Sequence, residues 1–531
     1  MGLGERTGWW SGRLSRLVLL PLIFCPLLWA QVWIRTFDGP AHGRDILYCL
    51  DIDPLGNAIV TGSTKIVLGD DTVLAGLTLK YDPAGNRQWV RIQDNNTWLA
   101  LVCDGQGNAY VSGSNGIGKY YANGELAWFW GNRVNGSAIA LDRRGDVCVT
   151  GFITEPPPVW NRAVIAKYDT AGRLLWMWID SLGSQMYGLA LDTLDNIYVV
   201  GSDAKRGPPP RWRIMKFSPE GRLVWDRVTN TPGGAMSIAV TSGGEAYATG
   251  EYRTGTEPER IVTVKYSPDG EERWLRYYDG PGWDWGYPVK LGPDGCCYVI
   301  GPSGTQPGPW PLFDFVTIKY SPDGEELWVK RYDGSGKDDM PFGLAFDSSG
   351  NIYVGGWSQV PADSVNYKAD YTLLKYDPDG NLLWEARYSG PDNLGGCIYS
   401  IAIDRDNFVY TAGNIFVGAR PLYSYDACII KYLTTGPGMV EPGTGRAGRS
   451  ALVLSPNPAR FWFMITGASR VGNVRLYDIA GNRLRVYERA ESGCFPLAGL
   501  KSGVYLVKGD TPEGEFTRKL VVRQIWDNQI K

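Results

Sequence analysis

A Lys-Tyr or Lys-Phe pair returns eight times along this chain, at Lys80-Tyr81, Lys119-Tyr120, Lys167-Tyr168, Lys216-Phe217, Lys265-Tyr266, Lys319-Tyr320, Lys375-Tyr376 and Lys431-Tyr432. A tryptophan follows seven of these pairs, at Trp89, Trp128, Trp176, Trp225, Trp274, Trp328 and Trp384, and an eighth, Trp33, stands ahead of the first pair. Spacings of roughly 40 to 50 residues belong to supersecondary units that bury their apolar faces against copies of themselves. A repeat array is therefore the first thing the sequence demands.

Each unit contains four short strand-like segments. In one of them, Trp328-Val-Lys-Arg-Tyr-Asp-Gly is followed by Phe342-Gly-Leu-Ala-Phe-Asp, Asn351-Ile-Tyr-Val-Gly-Gly and Tyr371-Thr-Leu-Leu-Lys-Tyr. Apolar and polar residues alternate in several of these segments, the pattern of a half-buried strand. Asp347-Ser-Ser-Gly-Asn and Asp377-Pro-Asp-Gly-Asn are tight-turn sequences in which Asp accepts backbone hydrogen bonds and Gly supplies positive φ. They resemble calcium loops superficially, but the same turn recurs in nearly every unit and no bidentate Glu follows, so no metal ligands are assigned. Abundant Gly (68), Tyr (30) and Trp (22) without long helical patterning fit an all-β chain of short strands.

A four-stranded unit that packs only on its neighbours is a propeller blade. An all-β, eight-bladed β-propeller is expected, with a seven-bladed ring as the alternative because Ser112-Gly-Ser-Asn-Gly-Ile-Gly-Lys leaves one unit almost without a loop. If the Trp segment is the outermost strand, Trp33 completes the blade whose inner strands end at Tyr432, and the two chain ends close one sheet. Segments such as Phe315-Val-Thr-Ile-Lys-Tyr-Ser-Pro-Asp-Gly-Glu-Glu-Leu-Trp resemble the SBBP bacterial β-propeller repeats of extracellular and cell-surface proteins. That resemblance runs over about residues 32 to 432.

The N-terminus reads as a secretory signal spanning 1–30. Arg6, Arg13 and Arg16 precede an apolar run from Leu17 to Ala30 that is broken by Pro21 and Pro26 and is short for a membrane span. Cleavage between Ala30 and Gln31 is expected; Phe24 ahead of Cys25 argues against lipoprotein processing. No transmembrane segment is expected in the mature chain. A formal net charge of -3 gives no electrostatic reason to expect nucleic acid as a partner.

The single histidine, His42, excludes most nucleophilic triads and His-based zinc sites, and it reads as a solvated loop residue without a partner. The cysteines form no Cys-x-x-Cys pair, and vicinal Cys296-Cys297 reads as two strand residues on opposite faces. No cofactor constellation is found, including the quinone-dehydrogenase type that Trp-bearing blades bring to mind as a fold-level analogy.

Antiparallel strands send both tight turns of each unit to one face, and the connections of variable length to the other. Variable loops on a rigid scaffold are where binding usually resides. Those connections carry Trp160, Trp212, Trp283, Trp285 and Trp310, the ligand-binding candidates, since exposed indoles stack on sugars or anchor protein partners. Catalytic residues are not assigned. Asp284, Asp338 and Asp339 lie on the same face, but similar acids recur at Asp45 and Asp392, and Asp314, Asp370 and Asp426 precede equivalent strands, which points to a repeated structural role.

After the repeat region (31–433) comes a Gly/Pro-rich linker (434–450) and then a set of short strands (451–531) expected to form a small Ig-like β-sandwich. Ser455-Pro-Asn-Pro-Ala, Val474-Arg-Leu-Tyr-Asp-Ile-Ala-Gly-Asn-Arg-Leu, Leu500-Lys-Ser-Gly-Val-Tyr-Leu-Val and Thr517-Arg-Lys-Leu-Val-Val resemble, in that order, the type A C-terminal sorting domain of the type IX (Por) secretion system. The resemblance implies the type IX machinery as a partner and a secreted protein, or one at the outer-membrane surface of a Gram-negative bacterium. The expectation for the whole is a non-enzymatic propeller that binds an extracellular protein or glycan through its variable-loop face; the alternative is a carboxylate-dependent polysaccharide-degrading enzyme on the same scaffold.

Overall fold

A computed structural model describes residues 31–434, apart from 70, 132–133, 155–160, 181–182, 205–207, 256–257, 307–311, 361–367 and 419–423, together with strands between 453 and 522. Between 31 and 433 the described residues form six antiparallel four-stranded sheets and one of seven strands. The first unit shows the plan: Ile46–Ile52, Ala58–Leu68, Asp71–Tyr81 and Arg87–Asp94 lie side by side in chain order. In the seven-stranded sheet the long strand Leu223–Val240 serves two units in turn. Its first half pairs with Arg211–Phe217 as a fourth strand, and its second half pairs with Ala246–Tyr252 as a first strand.

The two ends of the repeat region meet as expected. Gln31–Phe37 is the fourth strand on Ser424–Leu433, with Trp33 opposite Lys431 and Phe37 opposite Ala427, in a sheet completed by Phe408–Val417 and Gly396–Ile403. In every unit the anchor Lys faces its Trp across the last strand pair, as Lys80 faces Trp89 and Lys265 faces Trp274. Immediately after that pair the register shifts by a bulge, which sharpens the local twist and turns the indole toward the next unit.

What the indole meets there follows from turn chemistry. In Ser267-Pro268-Asp269-Gly270 the Gly270 amide donates to the Ser267 carbonyl, which closes the turn and leaves the Pro268 carbonyl without a partner inside it. Trp225 Nε1 of the preceding unit donates to that carbonyl at 3.0 Å, and Lys216 Nζ donates to it at 3.0 Å. The same double donation repeats around the molecule. The acceptors are the carbonyls of Pro83, Ala122, Thr170, Pro219, Pro268, Pro322, Pro378 and Thr434, and each takes a Trp and a Lys from the unit before it. Trp33 and Lys431 return the circuit to the first unit through Pro83. Gly270 is required twice over: its φ is +79°, and a Cβ there would sit 2.7 Å from the Trp225 ring.

Among the described residues, six of the eight anchor ammonium groups pair with a carboxylate on the same side. Lys80 pairs with Asp53 at 2.9 Å and Lys167, fully buried, with Asp142 at 2.7 Å. Burial alone would raise the Asp53 carboxyl, but hydrogen bonds from Asn57 and Lys80 outweigh it and hold the group below the usual range. Where the turn lacks its first Asp, a carboxylate arrives from another position. Thr241 opens one turn and Glu245 reaches Lys265 at 2.9 Å; Gly292 opens another and Asp294 reaches Lys319 at 2.9 Å.

The apolar core lies mostly between units. Trp33, Leu47, Val60 and Leu79 pack with Tyr410, Ala412 and Ile429 across the seam, and Tyr247, Ile261 and Trp274 pack with Val299, Val316 and Ile318 of the following unit. The alternation read as half-buried therefore has a different meaning in the third strands, which are buried on both faces, polar positions included. Thr61 and Thr78 bond to each other at 3.1 Å in that interior. Two further sheets lie beyond residue 450: Val453–Ser455 with Trp462–Thr466 and Cys494–Pro496, and Arg483–Tyr487 with Val474–Tyr477, Gly503–Thr511 and Gly514–Val522. Val474, Leu476 and Val507 of the second sheet are fully buried.

Replacing Trp33 by Ala removes a buried indole, its hydrogen bond and one seam contact, and is expected to lower stability by about 3–5 kcal/mol. Trp130→Ala, at a ring 49% exposed on an outer strand, should cost under about 1 kcal/mol in the same denaturant titration. Equal losses would show that the seam indole carries no special share of the fold.

Candidate binding face

Both tight turns of each unit lie at one end of the strands, and the connections of variable length lie at the other. In the shortest unit, Gly113 faces Gly116 and the connection shrinks to Ser114-Asn115. Elsewhere the connections are longer and carry the loop tryptophans.

The structure separates those indoles. Trp212 is fully buried within an apolar cluster and donates Nε1 to the Glu251 carbonyl at 2.8 Å, so the expectation of an exposed stacking ring there is corrected. Its strand, Arg211–Phe217, begins one residue earlier, and the alternation that buries Ile214 also buries Trp212. Trp285 is half-buried, stacked on Phe313 with centroids 5.0 Å apart, and gives its N–H to Glu259. Trp283 is half-buried in the same inter-unit connection. Trp160, Trp310 and Ala30 lie outside the described residues, and Gln31 opens the first strand.

The inner strands carry rings that the loop-centred reading passed over. The residue five places before each turn is Tyr48, Tyr287, Phe342 or Tyr399 in four successive units around the seam. Their rings form a continuous arc, Tyr287–Phe342 at 5.5 Å, Phe342–Tyr399 at 5.3 Å and Tyr399–Tyr48 at 5.7 Å, all partly exposed. The signal was present in the sequence as a column of aromatics, but the register shift at Leu47/Cys49 and its equivalents alters the side-chain alternation. At the corresponding level, Tyr187 and Met236 border a groove of about 530 Å³ with Ser202, Pro210, Glu251 and Arg253. Arg253 pairs with Glu259 at 3.1 Å and Glu251 at 3.6 Å, and Tyr187 donates its hydroxyl proton to Gln185 at 2.7 Å. Burial raises the Glu251 carboxyl, which Arg253 partly offsets.

Deeper along the inner strands, the position two before each turn holds Ala or Val in six units, but Asp51 in one and Lys290 in another. The Lys290 side chain is open to solvent, and desolvation by the surrounding inner strands lowers its ammonium while Cys49 and Asp51 act in the opposite sense. Asp51 is engaged by the amides of Cys103 (2.7 Å) and Ile52 (2.8 Å). At the tight-turn end a second cavity, about 630 Å³, is bordered by Asp53, Asp104, Asp404, Asp406 and Phe408.

His42 is not without a partner: its Nδ1 lies 2.6 Å from Asp38 Oδ2, and that hydrogen bond raises the imidazole from its ordinary value. The reading of an isolated, solvated ring is corrected to an exposed ring held by a carboxylate four residues earlier. Cys297 opens a strand and Cys296 stands just ahead of it, so the expectation of two strand residues holds for Cys297 alone; both are reduced and buried, and they pack into different apolar clusters. Among the described residues no helix is long and apolar enough to cross a membrane.

Comparison with known proteins matches residues 327–361 to the β-propeller repeat SBBP and residues 454–523 to a secretion system C-terminal sorting domain. An uncharacterized WD repeat-containing protein of Acanthamoeba polyphaga mimivirus is 28% identical over 143 residues, which span 22% of this chain and 10% of that relative's length. Among solved structures, the Dos1 propeller aligns over 76% of this chain and 95% of its own at 10% identity and a TM-score of 0.49. The Pan2 WD40 domain of Neurospora crassa aligns over 78% of this chain and 96% of its own at 9% identity and a TM-score of 0.39. With closed antiparallel four-stranded units and these two matched segments, the chain is a secreted β-propeller protein that carries an SBBP repeat and a type IX (Por) C-terminal sorting domain.

Proposed function

We propose that this exported propeller is a non-enzymatic binding protein that takes a glycan, or a sugar-bearing protein surface, at the face of variable connections. The observation that carries the reading is the arc Tyr287–Phe342–Tyr399–Tyr48, partly exposed rings on four successive inner strands. Aromatic faces combined with hydroxyls and an ion pair, as supplied nearby by Ser202, Arg253 and Glu251, are the usual means of holding a sugar ring. Trp283 and Trp285 border the same face and join the arc as proposed contacts, as do Trp160 and Trp310 by their place in the sequence.

In this proposal the ring has eight blades, counted by the Trp–carbonyl circuit with Leu223–Val240 shared between two of them. Residues 1–30 are removed after Ala30, 31–433 form the propeller, 434–450 the linker, and 451–531 an Ig-like sorting domain that delivers the protein to the outer-membrane surface. The carboxylate-enzyme alternative gains no specific support. Burial pushes Asp284 up to about 6 and Asp339 up to about 7, values suited to a general acid, yet both side chains are fully buried, which leaves no reacting oxygen for a polymer.

Three outcomes test the proposal. On a glycan array, saturable binding should fall at least ten-fold in Phe342→Ala and Tyr399→Ala and persist in Trp130→Ala; binding unaffected by either arc substitution would remove the arc from the site. Deleting residues 451–531 should leave the propeller inside the cell envelope and absent from the medium and surface fractions, and normal export of the truncated chain would exclude the sorting role. Asp284 binds a proton more readily folded than unfolded, so its share of stability is complete below about pH 4 and is lost as pH rises from there through about 6. Asp284→Asn should therefore flatten the decline in unfolding free energy between about pH 4 and 6, by on the order of 1–3 kcal/mol; an unchanged slope would mean the carboxyl is ionised throughout.

A further inference from the structure

The first strands of the units surround the axis of the ring, and their sequences are almost free of charge. From Ile46–Ile52 to Gly396–Ile403 they carry one basic residue, Lys290, and two acids, Asp51 and Asp339. Asp339 stands at the variable-connection end, where its carboxylate accepts the Gly334 amide at 2.7 Å. Lys290 and Asp51 stand deeper, each two positions ahead of a tight turn. Their units are not neighbours, since the units that begin with Asp339–Phe346 and Gly396–Ile403 lie between them. The Lys290 ammonium is nonetheless close enough to feel the Asp51 carboxyl and the Cys49 thiol, which separated units allow only across the axis. Val289 and Leu291 on either side of it pack into an apolar cluster, so strand alternation turns Lys290 the other way, into an axial channel open to solvent.

Within the channel the protein leaves this ammonium unanswered. Each anchor lysine donates to a turn carbonyl of the next unit, whereas Lys290 makes no hydrogen bond or ion pair to any described residue. Asp51 stays beyond ion-pair distance, and its two oxygens accept the Ile52 amide at 2.8 Å and the Cys103 amide at 2.7 Å. Each of those oxygens keeps a second lone pair for a further donor. Burial pushes the Cys49 thiol up to about 11, so it carries no charge that could meet the ammonium at neutral pH. The other six units place Ala or Val at the level of Lys290 and Asp51, and these side chains offer no polar atom.

The mouth of the channel on the variable-connection side is the aromatic arc. Tyr287 stands three residues before Lys290, about 10 Å along the strand. Leu99 and Met236, 42% and 37% exposed, occupy the same place in their own units and continue the arc as an apolar collar. Rings of this kind hold a sugar by its face and are indifferent to its charge. A single ammonium below them, between apolar walls, is not indifferent: the attraction it exerts on an anion is stronger there than on an open surface. The opposite mouth has the contrary character, since Asp53, Asp104, Asp404 and Asp406 border the cavity at the tight-turn end and repel an anion. An acidic guest therefore enters from the side of the arc.

We propose that the sugar held at the arc is an acidic one, whose carboxylate or sulfate group reaches down the channel to the Lys290 ammonium while a hydroxyl of the same ring donates to Asp51. A sugar acid supplies both things the channel lacks, an anion for the ammonium and a donor for the remaining lone pairs of the carboxylate. The inference rests on the reading of the arc as a sugar platform and adds to it the charge of the sugar. Lys290 is in this account a specificity residue: the arc supplies affinity for a ring, and the ammonium selects the ring that bears an anion.

The test is a glycan array of paired chains that differ only at C6 of the terminal residue: glucose against glucuronate, galactose against galacturonate, and the 6-sulfates of both neutral sugars. The protein is expected to bind an acidic member at least about ten-fold more tightly than its neutral partner, and to lose part of that preference between about 0.05 and 0.5 M sodium chloride. Lys290→Met, at a side chain open to solvent, should abolish the preference while leaving neutral binding and Tm unchanged, and Lys290→Arg should retain it. Phe342→Ala should weaken both members of a pair. A preference confined to carboxylates assigns uronates, and one confined to sulfates assigns sulfated sugars. Equal binding of paired members, or a preference that survives Lys290→Met, would overturn the inference and leave the arc in place. Binding to no chain on the array would overturn the arc as a sugar platform and this inference with it.

Discussion

In Asp-Pro-Asp-Gly and its variants, the glycine amide closes the turn on the first carbonyl and strands the second. That stranded carbonyl is met by an indole N–H and a lysine ammonium from the preceding unit, and the geometry repeats from unit to unit until Trp33 and Lys431 reach Pro83. The acceptor residues lie at or near the surface, so each bond replaces one to water, and its net worth is on the order of 1 kcal/mol, more where the donor is charged. The propeller thus uses a carbonyl that the turn leaves free as its fastening between units. The indole adds buried area, and the ammonium adds a charge-assisted bond whose countercharge comes from the other tight turn of the units concerned.

This arrangement accounts for features that look unrelated in the sequence. The anchor lysine is buried because it serves the next unit's turn; the glycine is fixed because a Cβ would enter the indole; and the first Asp of the other turn is replaceable so long as a carboxylate reaches the lysine, as Glu245 and Asp294 do. Because most apolar clusters straddle units, a single unit has little core of its own, and closure by the N-terminal strand removes what would otherwise be an open edge.

Much of the fold was legible because it is written in short-range chemistry. Turn residues, strand alternation and the recurrence of Trp and Lys-Tyr announced the four-stranded unit and the meeting of Trp33 with the strand ending at Tyr432. The lysine's role was not legible, since its acceptor lies some fifty residues away in sequence at Ala122, Thr170 or Pro219. Trp212 was misplaced because it stands at the rim between loop and strand, where one residue of register decides between water and core. The aromatic arc escaped notice for a related reason: Tyr48 and its counterparts fall at the register shift of the inner strands, where simple alternation no longer tells which way a side chain points.

The fastening of the ring at its seam is tested most directly by hydrogen exchange along Ser424–Leu433, measured in the intact mature chain and in a chain lacking residues 31–37. With the first strand in place, those amides should be as slow to exchange as the interior strand Phe313–Tyr320, and its removal should release the seam strand well before the others. Rapid exchange of Ser424–Leu433 in the intact chain, as for an open edge, would contradict a ring sealed by Trp33 and Lys431 at the Pro83 carbonyl.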